Sequence, residues 1–214
     1  MVEIREILTA LAKKRAIFHS EADFQHAFAW EIHQRFPNAA VRLELPILIG
    51  NKPLHLDIYA SIENEIYAIE LKYKTRALEV QIGEERFKLK NQSAQDIGRY
   101  DYIKDIQRLE KIVATRENAI GYAVLLTNDS AYWTGTNQRQ TVDSEFRLYQ
   151  GRVLEGTLQW GAGASDGTKQ GRERPLALRG SYKVHWQDYS QVSNKNYGIF
   201  RYLAIEIHKA QCAG

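Results

Sequence analysis

Residues 121–127 form a continuous apolar run, the pattern of a strand buried on both faces. Such a strand lies inside a sheet that helices cover, and the chain has the material for one. Its 214 residues suffice for a single domain with a sizeable core and no covalent staples. With 44% apolar and 26% charged residues it is neither a disordered chain nor a membrane protein. The lone Cys212 excludes a disulfide framework and a cysteine zinc cluster. No stretch of 18 apolar residues occurs, and Lys13, Lys14 and Arg15 lie on a helix-like pattern rather than before an apolar signal core. A cytoplasmic location and no membrane partner are the default expectations.

Ahead of that run the periodicity predicts helix, then strands, then helix. Ile4, Ile7, Leu8 and Leu11 recur at helical spacing over residues 2–16, as do Phe24, Ala27, Phe28 and Ile32 over 21–36. Ser20, with Asp23 three residues on, resembles a capping start for the second helix, and Pro37-Asn38 stops it. Three aliphatic runs follow at 41–49, 54–61 and 65–73. The short breaks at Gly50-Asn51-Lys52-Pro53 and Glu63-Asn64 suit hairpins, so the three make an antiparallel meander. Residues 74–93 are polar and read as an exposed or mobile segment, and 94–117 as one long helix with Ile103, Ile106, Leu109 and Val113 as its apolar line. The expected fold class is α/β, with a mixed sheet flanked by helices. The core is complete by about residue 128, and residues 129–214 read as a β-rich extension packed on it. Strands are expected there at 146–149, 153–158, 181–186 and 198–208, with a flexible loop at about 161–171.

Charges interrupt two of the core strands. Alternation places His55, Asp57 and Tyr59 on one face of the second strand, against Leu54, Leu56 and Ile58 on the other. In the third, Ile66, Ala68, Glu70 and Lys72 share a face. Burying an ion costs several kcal/mol unless it is paired or coordinates a metal. A Glu-x-Lys pair alone reads as a salt bridge on a solvated sheet. With the strands turned back through Glu63-Asn64, however, Asp57 comes beside Glu70 at the divergent end of the pair. Two adjacent carboxylates repel, and a divalent cation that prefers oxygen holds both ionised. Lys72 would then orient or help deprotonate an attacking water and stabilise charge on a phosphate.

On Leu56-Asp57 and Glu70-Leu71-Lys72, set in the order helix, three strands, helix, strand, the chain resembles the PD-(D/E)XK nuclease superfamily, also called restriction-endonuclease-like. The resemblance covers residues 20–128, with Leu56 in place of the motif's proline. It implies a restriction-endonuclease-like core and a metal-dependent nuclease that hydrolyses phosphodiester bonds, DNA before RNA, leaving a 5′-phosphate. Asp57, Glu70 and the Leu71 carbonyl would hold Mg²⁺ or Mn²⁺, and Lys72 would act on the water. Glu21, near the start of the first core helix, reads either as a further ligand or as an acid at a helix N-terminus. Gln95 and Arg99 on the later helix read as phosphate binders or as part of a solvated face. The alternative function is a catalytically inactive nucleic-acid-binding or scaffolding protein with the same fold. Cutting both strands of a duplex calls for two active sites, with which a homodimer is compatible.

The formal charge is +3, and its placement says more than its size. Residues 1–128 carry 18 basic and 18 acidic side chains, whereas 129–214 carry 11 and 8. The surplus gathers at Lys169, Arg172, Arg174, Arg179, Lys183, Lys195 and Arg201, a solvated loop or a phosphate-contacting surface. Trp133, Trp160 and Trp186, with Tyr182, Tyr189, Tyr197 and Tyr202, suit either base stacking or core packing of a small β region. His19, His26 and His33 recur every seven residues, two helical turns, which is too far apart to share one ion. His55, two residues before the aspartate, is a candidate neighbour of the metal site.

Overall fold

Apolar residues at three- and four-residue spacing build the first layer. A computed structural model describes residues 3–50, 52–135 and 140–209; Cys212 lies outside them. Helix α1 (Ile4–Lys14) buries Ile4, Ile7, Leu8 and Leu11. Helix α2 (Glu21–Arg35) begins at Ser20, whose hydroxyl accepts the Asp23 N–H at 3.1 Å, and it buries Phe24, Phe28 and Ile32. The meander follows as β1 (Ala40–Ile49), β2 (Lys52–Ile62) and β3 (Glu65–Lys74).

Residues 74–93, expected as an exposed or mobile segment, instead form a hairpin of β4 (Leu78–Ile82) and β5 (Glu85–Leu89). Leu78, Phe87 and Leu89 are buried in the core shared with α1 and α2, so three apolar anchors fasten a stretch whose composition is polar. Helix α3 (Gln95–Ala114) then crosses back, and β6 (Ala119–Thr127) is buried at every position. At Gly121 an added Cβ would stand 3.1 Å from Leu109 Cβ and 3.3 Å from Ile207 Cβ, so this position lets α3 lie close on the sheet.

The C-terminal part departs further from the expected strands. Residues 146–149 begin in a single 3₁₀ turn, Ser144–Phe146, rather than a strand. The expected strand at 153–158 is two short ones, β7 (Val153–Leu154) and β8 (Thr157–Leu158), broken by Gly156 at φ +69°. Within 161–171 there is one helical turn, α4 (Asp166–Lys169), capped by Ser165, and Ala164 is buried. Strands β9 (Leu176–Ala177) and β10 (Tyr182–Lys183) pair with β8 and β7, and all four short strands lie on the α3 side. Strands β11 (Trp186–Gln191) and β12 (Ile199–Ile207) join the main sheet, whose order is β1-β2-β3-β6-β12-β11. Among the described strands only β3 and β6 pair in parallel, as the helical crossover through α3 requires.

The architecture is mixed α/β, a mixed sheet flanked by helices, with one core on each face. Helices α1 and α2 cover one face; α3 and residues 146–184 cover the other. Among the described residues no helix is long and apolar enough to cross a membrane.

Candidate active site

Strands β2 and β3 pair from Ile62–Glu65 as far as Ile58–Ile69 and then part. The next residues on each side are Asp57 and Glu70. Where the ladder stops, the Asp57 carboxylate takes the free amide: Oδ2 accepts the Leu71 N–H at 2.6 Å. The reason for the parting lies in β1. Glu44 has φ +50°, a left-handed conformation for a non-glycine residue, at the point of the β1–β2 hairpin that faces Asp57. Both strands change faces there. Leu43 and Ile58 pack in the α1–α2 core, whereas Leu45, Ile47 and Leu56 pack in the α3 core. The simple alternation that put Leu56 and Ile58 on one face therefore fails at Asp57. Gln25 of α2 pins the turn, donating from Nε2 to the Asp57 carbonyl and to Glu44 Oε1, each at 2.7 Å.

Glu70 is 2% exposed. Its Oε1 lies 3.0 Å from Arg108 Nη2, which donates one of its two hydrogens to the His55 carbonyl at 2.8 Å. The Glu70 oxygen is thus ion-paired yet has no aligned hydrogen bond. Burial, reinforced by the charges of Asp105 and Asp57, pushes the Glu70 carboxyl up to about 9 against the opposing pull of Arg108 and Lys72. Burial also raises the Asp57 carboxyl, more than the Leu71 amide and Lys72 lower it.

Lys72 Nζ stands 2.9 Å from Asp105 Oδ2 and 3.3 Å from the Leu71 carbonyl. Burial opposes its charge, yet Asp105, Asp57 and Glu21 together hold the ammonium above its ordinary range. Arg108 Nη1 meets Asp105 Oδ1 at 3.0 Å, so α3 supplies one acid and one base to the cluster. Glu21 reaches the same strand end from α2, its Oε2 accepting the Tyr73 N–H at 2.7 Å.

Asp57, Glu70, Leu71, Lys72 and Glu21 thus come together, and the sequence reading missed two members, Asp105 and Arg108. Their signal was present: opposite charges one helical turn apart, beside Ile106 and Leu109 of the apolar line. Gln95 and Arg99 do other work. Gln95 Nε2 donates to Asp129 Oδ2 at 2.8 Å, and Arg99 pairs with Asp143 and donates to the Ala131 carbonyl at 2.6 Å. Both fasten the start of α3 to the segment after β6.

The C-terminal basic residues are dispersed. Arg172 is bidentate to Asp101, at 2.7 and 2.8 Å. Arg179 is exposed, and its main-chain amide donates to Glu110 Oε1. Lys183 lines a different cavity, with Arg5, Tyr122 and Glu206. Arg174 alone of these four lines a cleft of about 810 Å³, together with His55, Lys104, Arg108 and Lys111; Arg108 is the member of the Glu70 cluster that borders it. The aromatic residues mostly pack or tie the fold. Trp186 donates to the Leu148 carbonyl at 2.6 Å, Trp160 stacks on Tyr100, and Tyr189 donates to the Arg15 carbonyl at 2.7 Å. His19 stacks on Phe87 and pairs with Glu85, a contact between α2's approach and the β4–β5 hairpin.

Among the described residues no group of three or more His, Cys, Asp and Glu side chains is arranged to hold a metal ion. The candidate donors are two carboxylates and a main-chain carbonyl. Comparison with protein-family models, with curated proteins and with solved structures finds no match.

Proposed function

We propose that this protein is a nuclease that hydrolyses phosphodiester bonds with a divalent metal ion, Mg²⁺ or Mn²⁺, and acts on DNA before RNA. The observation that carries the reading is the meeting of Asp57, Glu70 and Lys72 where β2 and β3 part, beside a cationic cleft. The succession α2, β1–β3, α3, β6, with β3 and β6 parallel, supports the resemblance to the PD-(D/E)XK nucleases and a restriction-endonuclease-like core.

The donor set fits such an ion. Glu70 carries a buried oxygen without an aligned hydrogen bond, and the charges of Asp105 and Asp57 add to burial in raising its affinity for a proton. A hard cation relieves both. Asp57, Glu70 and the Leu71 carbonyl would hold it, with Glu21 able to join directly or through water. When bound, it polarises the scissile phosphate and acidifies water.

The chain's own residues do the rest. Lys72 is a cation held in place by Asp105, so it would orient the attacking water and offset charge on the phosphate. Arg108 holds the Glu70 carboxylate in position and carries positive charge to the wall of the cleft. The water oxygen would attack phosphorus in line as the bond to the 3′ oxygen breaks, the water giving a proton to solvent and the departing 3′ oxygen taking one from it. The products are a 5′-phosphate and a 3′-hydroxyl. The test is divalent-ion-dependent cleavage of plasmid, single-stranded and branched DNA by wild type, Asp57→Asn and Lys72→Ala. Loss of cleavage in both variants supports the reading, and undiminished cleavage by both rejects it.

One observation favours a second reading, a catalytically inactive nucleic-acid-binding or scaffolding protein. The Lys72–Asp105 and Glu70–Arg108 contacts give each of these four groups a counter-charge within the protein. Calorimetry with Mn²⁺ separates the two: no heat up to millimolar ion, with DNA still retained, selects the inactive form.

A further inference from the structure

We infer that the cleft beside Glu70 is the entry path of an unpaired polynucleotide strand, gripped by Lys104, Lys111 and Arg174. The inference rests on the proposed nuclease reading for the chemistry at its inner end, but its own ground is the shape and charge of the cleft. Lys104, Arg108 and Lys111 line it from α3, at intervals of four and three residues. One helical turn rises about 5.4 Å, so the three cations form a ladder along one helix face. Arg174 adds a fourth charge from the segment before β9. Glu173, the acid among the described lining residues, accepts the Gly171 N–H at 2.7 Å, and hydrogen bonding by its own main-chain amide and that of Gly171 holds its carboxyl below the usual range.

Facing the cations is an apolar wall, Ile49, Pro53 and Leu54, from the tip of the β1–β2 hairpin. That wall exists because both strands change faces at Glu44 and Asp57, which carries Leu45, Ile47, Leu54 and Leu56 to the α3 side. A phosphate chain meets one wall, and apolar base faces meet the other. In a duplex the bases are stacked inside and the outer surface is phosphate, so the apolar wall would have no partner. The cleft volume, about 810 Å³, is that of a pocket for a small ligand and admits a short strand rather than a double helix. Arg108 joins the two regions, touching Glu70 and Asp105 within the cluster and lining the cleft outside it.

The test uses the full chain in chelator, so that binding is read without cleavage. Fluorescence anisotropy compares a labelled ten-nucleotide single strand with a hairpin duplex and a single-stranded RNA of the same length. The single DNA strand is expected to bind at least tenfold tighter than the duplex. In Lys104→Ala/Lys111→Ala/Arg174→Ala, affinity for it falls at least tenfold and the salt slope shrinks by about 2, the share of three single-strand phosphate contacts. Leu54→Asp is expected to erase the preference for single strands while leaving most of the salt slope. Arg179→Ala/Lys183→Ala, outside the cleft, controls for loss of general charge, and circular dichroism melting controls for folding. Equal binding of duplex and single strand, or unchanged affinity in the triple variant, overturns the inference; tighter binding of the RNA overturns the preference of the proposed function for DNA. If the triple variant loses binding but wild type cleaves nothing with any divalent ion, the path stands and the nuclease reading falls. If cleavage is metal-dependent while the triple variant binds normally, the reading stands and the path falls.

Discussion

The Asp57 carboxylate accepts the main-chain N–H of Leu71 at 2.6 Å, across the gap where their two strands stop pairing. A side chain here completes the ladder that the backbone leaves open. One acid thereby has two tasks: one oxygen holds β3 in place, and its charge acts on the Glu70 carboxyl beside it. The two tasks respond differently to substitution.

Asp57→Asn retains an acceptor for the Leu71 amide, so its stability should lie within about 1 kcal/mol of wild type. Asp57→Ala leaves that amide unmatched and is expected to cost about 1–3 kcal/mol. Urea denaturation measures both. Under the proposed function both variants lose metal-dependent cleavage, which separates the chemical role from the structural one.

Glu70 predicts an unusual pH profile. Its folded carboxyl is raised to about 9, above an unfolded value near 4.3. The folded state therefore holds this proton more tightly, so the group lowers stability as pH rises from about 4.3 toward 9. Glu70→Gln removes that cost. The variant should melt above wild type at pH 8 in chelator, by at least about 2–4 °C, the equivalent of 1 kcal/mol. The gap should close toward pH 5. A gap independent of pH would assign the gain to packing instead.

Lys72 and Asp105 should be strongly coupled. The two side chains are 18% and 5% exposed, and removing the lysine leaves the aspartate with Arg108 alone. Lys72→Met is expected to cost about 2–3 kcal/mol, below the 3–5 typical of a fully buried pair because of the lysine's partial exposure and the remaining arginine. Lys72→Met/Asp105→Asn should recover most of it. A double-mutant cycle in urea reads the coupling, and additive losses would mean that the two do not form a pair in solution.

Arg172 should behave as a structural residue. Its guanidinium is bidentate to Asp101 on a partly exposed surface, so Arg172→Ala is expected to cost no more than about 1 kcal/mol. DNA affinity should change less than twofold, with the salt slope unaltered. A loss comparable to that of Arg174→Ala would return this arginine to the binding surface that its sequence position suggested.

Much of the framework was legible in the sequence because it depends on neighbours a few residues apart. The 3.6-residue recurrence in α1, α2 and α3, the Ser20 cap, the meander turns and the buried run of β6 are all local patterns. The same reasoning brought Asp57 beside Glu70, since a tight hairpin fixes which residues face each other. It misplaced the β4–β5 hairpin, where Leu78, Phe87 and Leu89 carry the packing within a polar stretch. Nor could it decide whether β11 and β12 join the main sheet, because the β6–β12 pairing, from Thr127–Arg201 to Gly121–Ile207, links residues too far apart in the chain to leave a periodic trace.

The sequence by itself determined the order of the elements and the identity of the charged residues on β2 and β3. Only the tertiary structure decided what those charges meet. Asp105 and Arg108 reach Lys72 and Glu70 because α3 crosses over β3 and β6, and the apolar wall of the cleft follows from one left-handed residue, Glu44, that turns a hairpin over. Arg172 and Arg99 are spent on Asp101 and Asp143 for the same reason. Hydrophobic periodicity is written within one element, whereas the partner of a buried charge is set by which surfaces pack together. That packing is a property of the whole core, where two residues far apart in the chain stand within 3 Å.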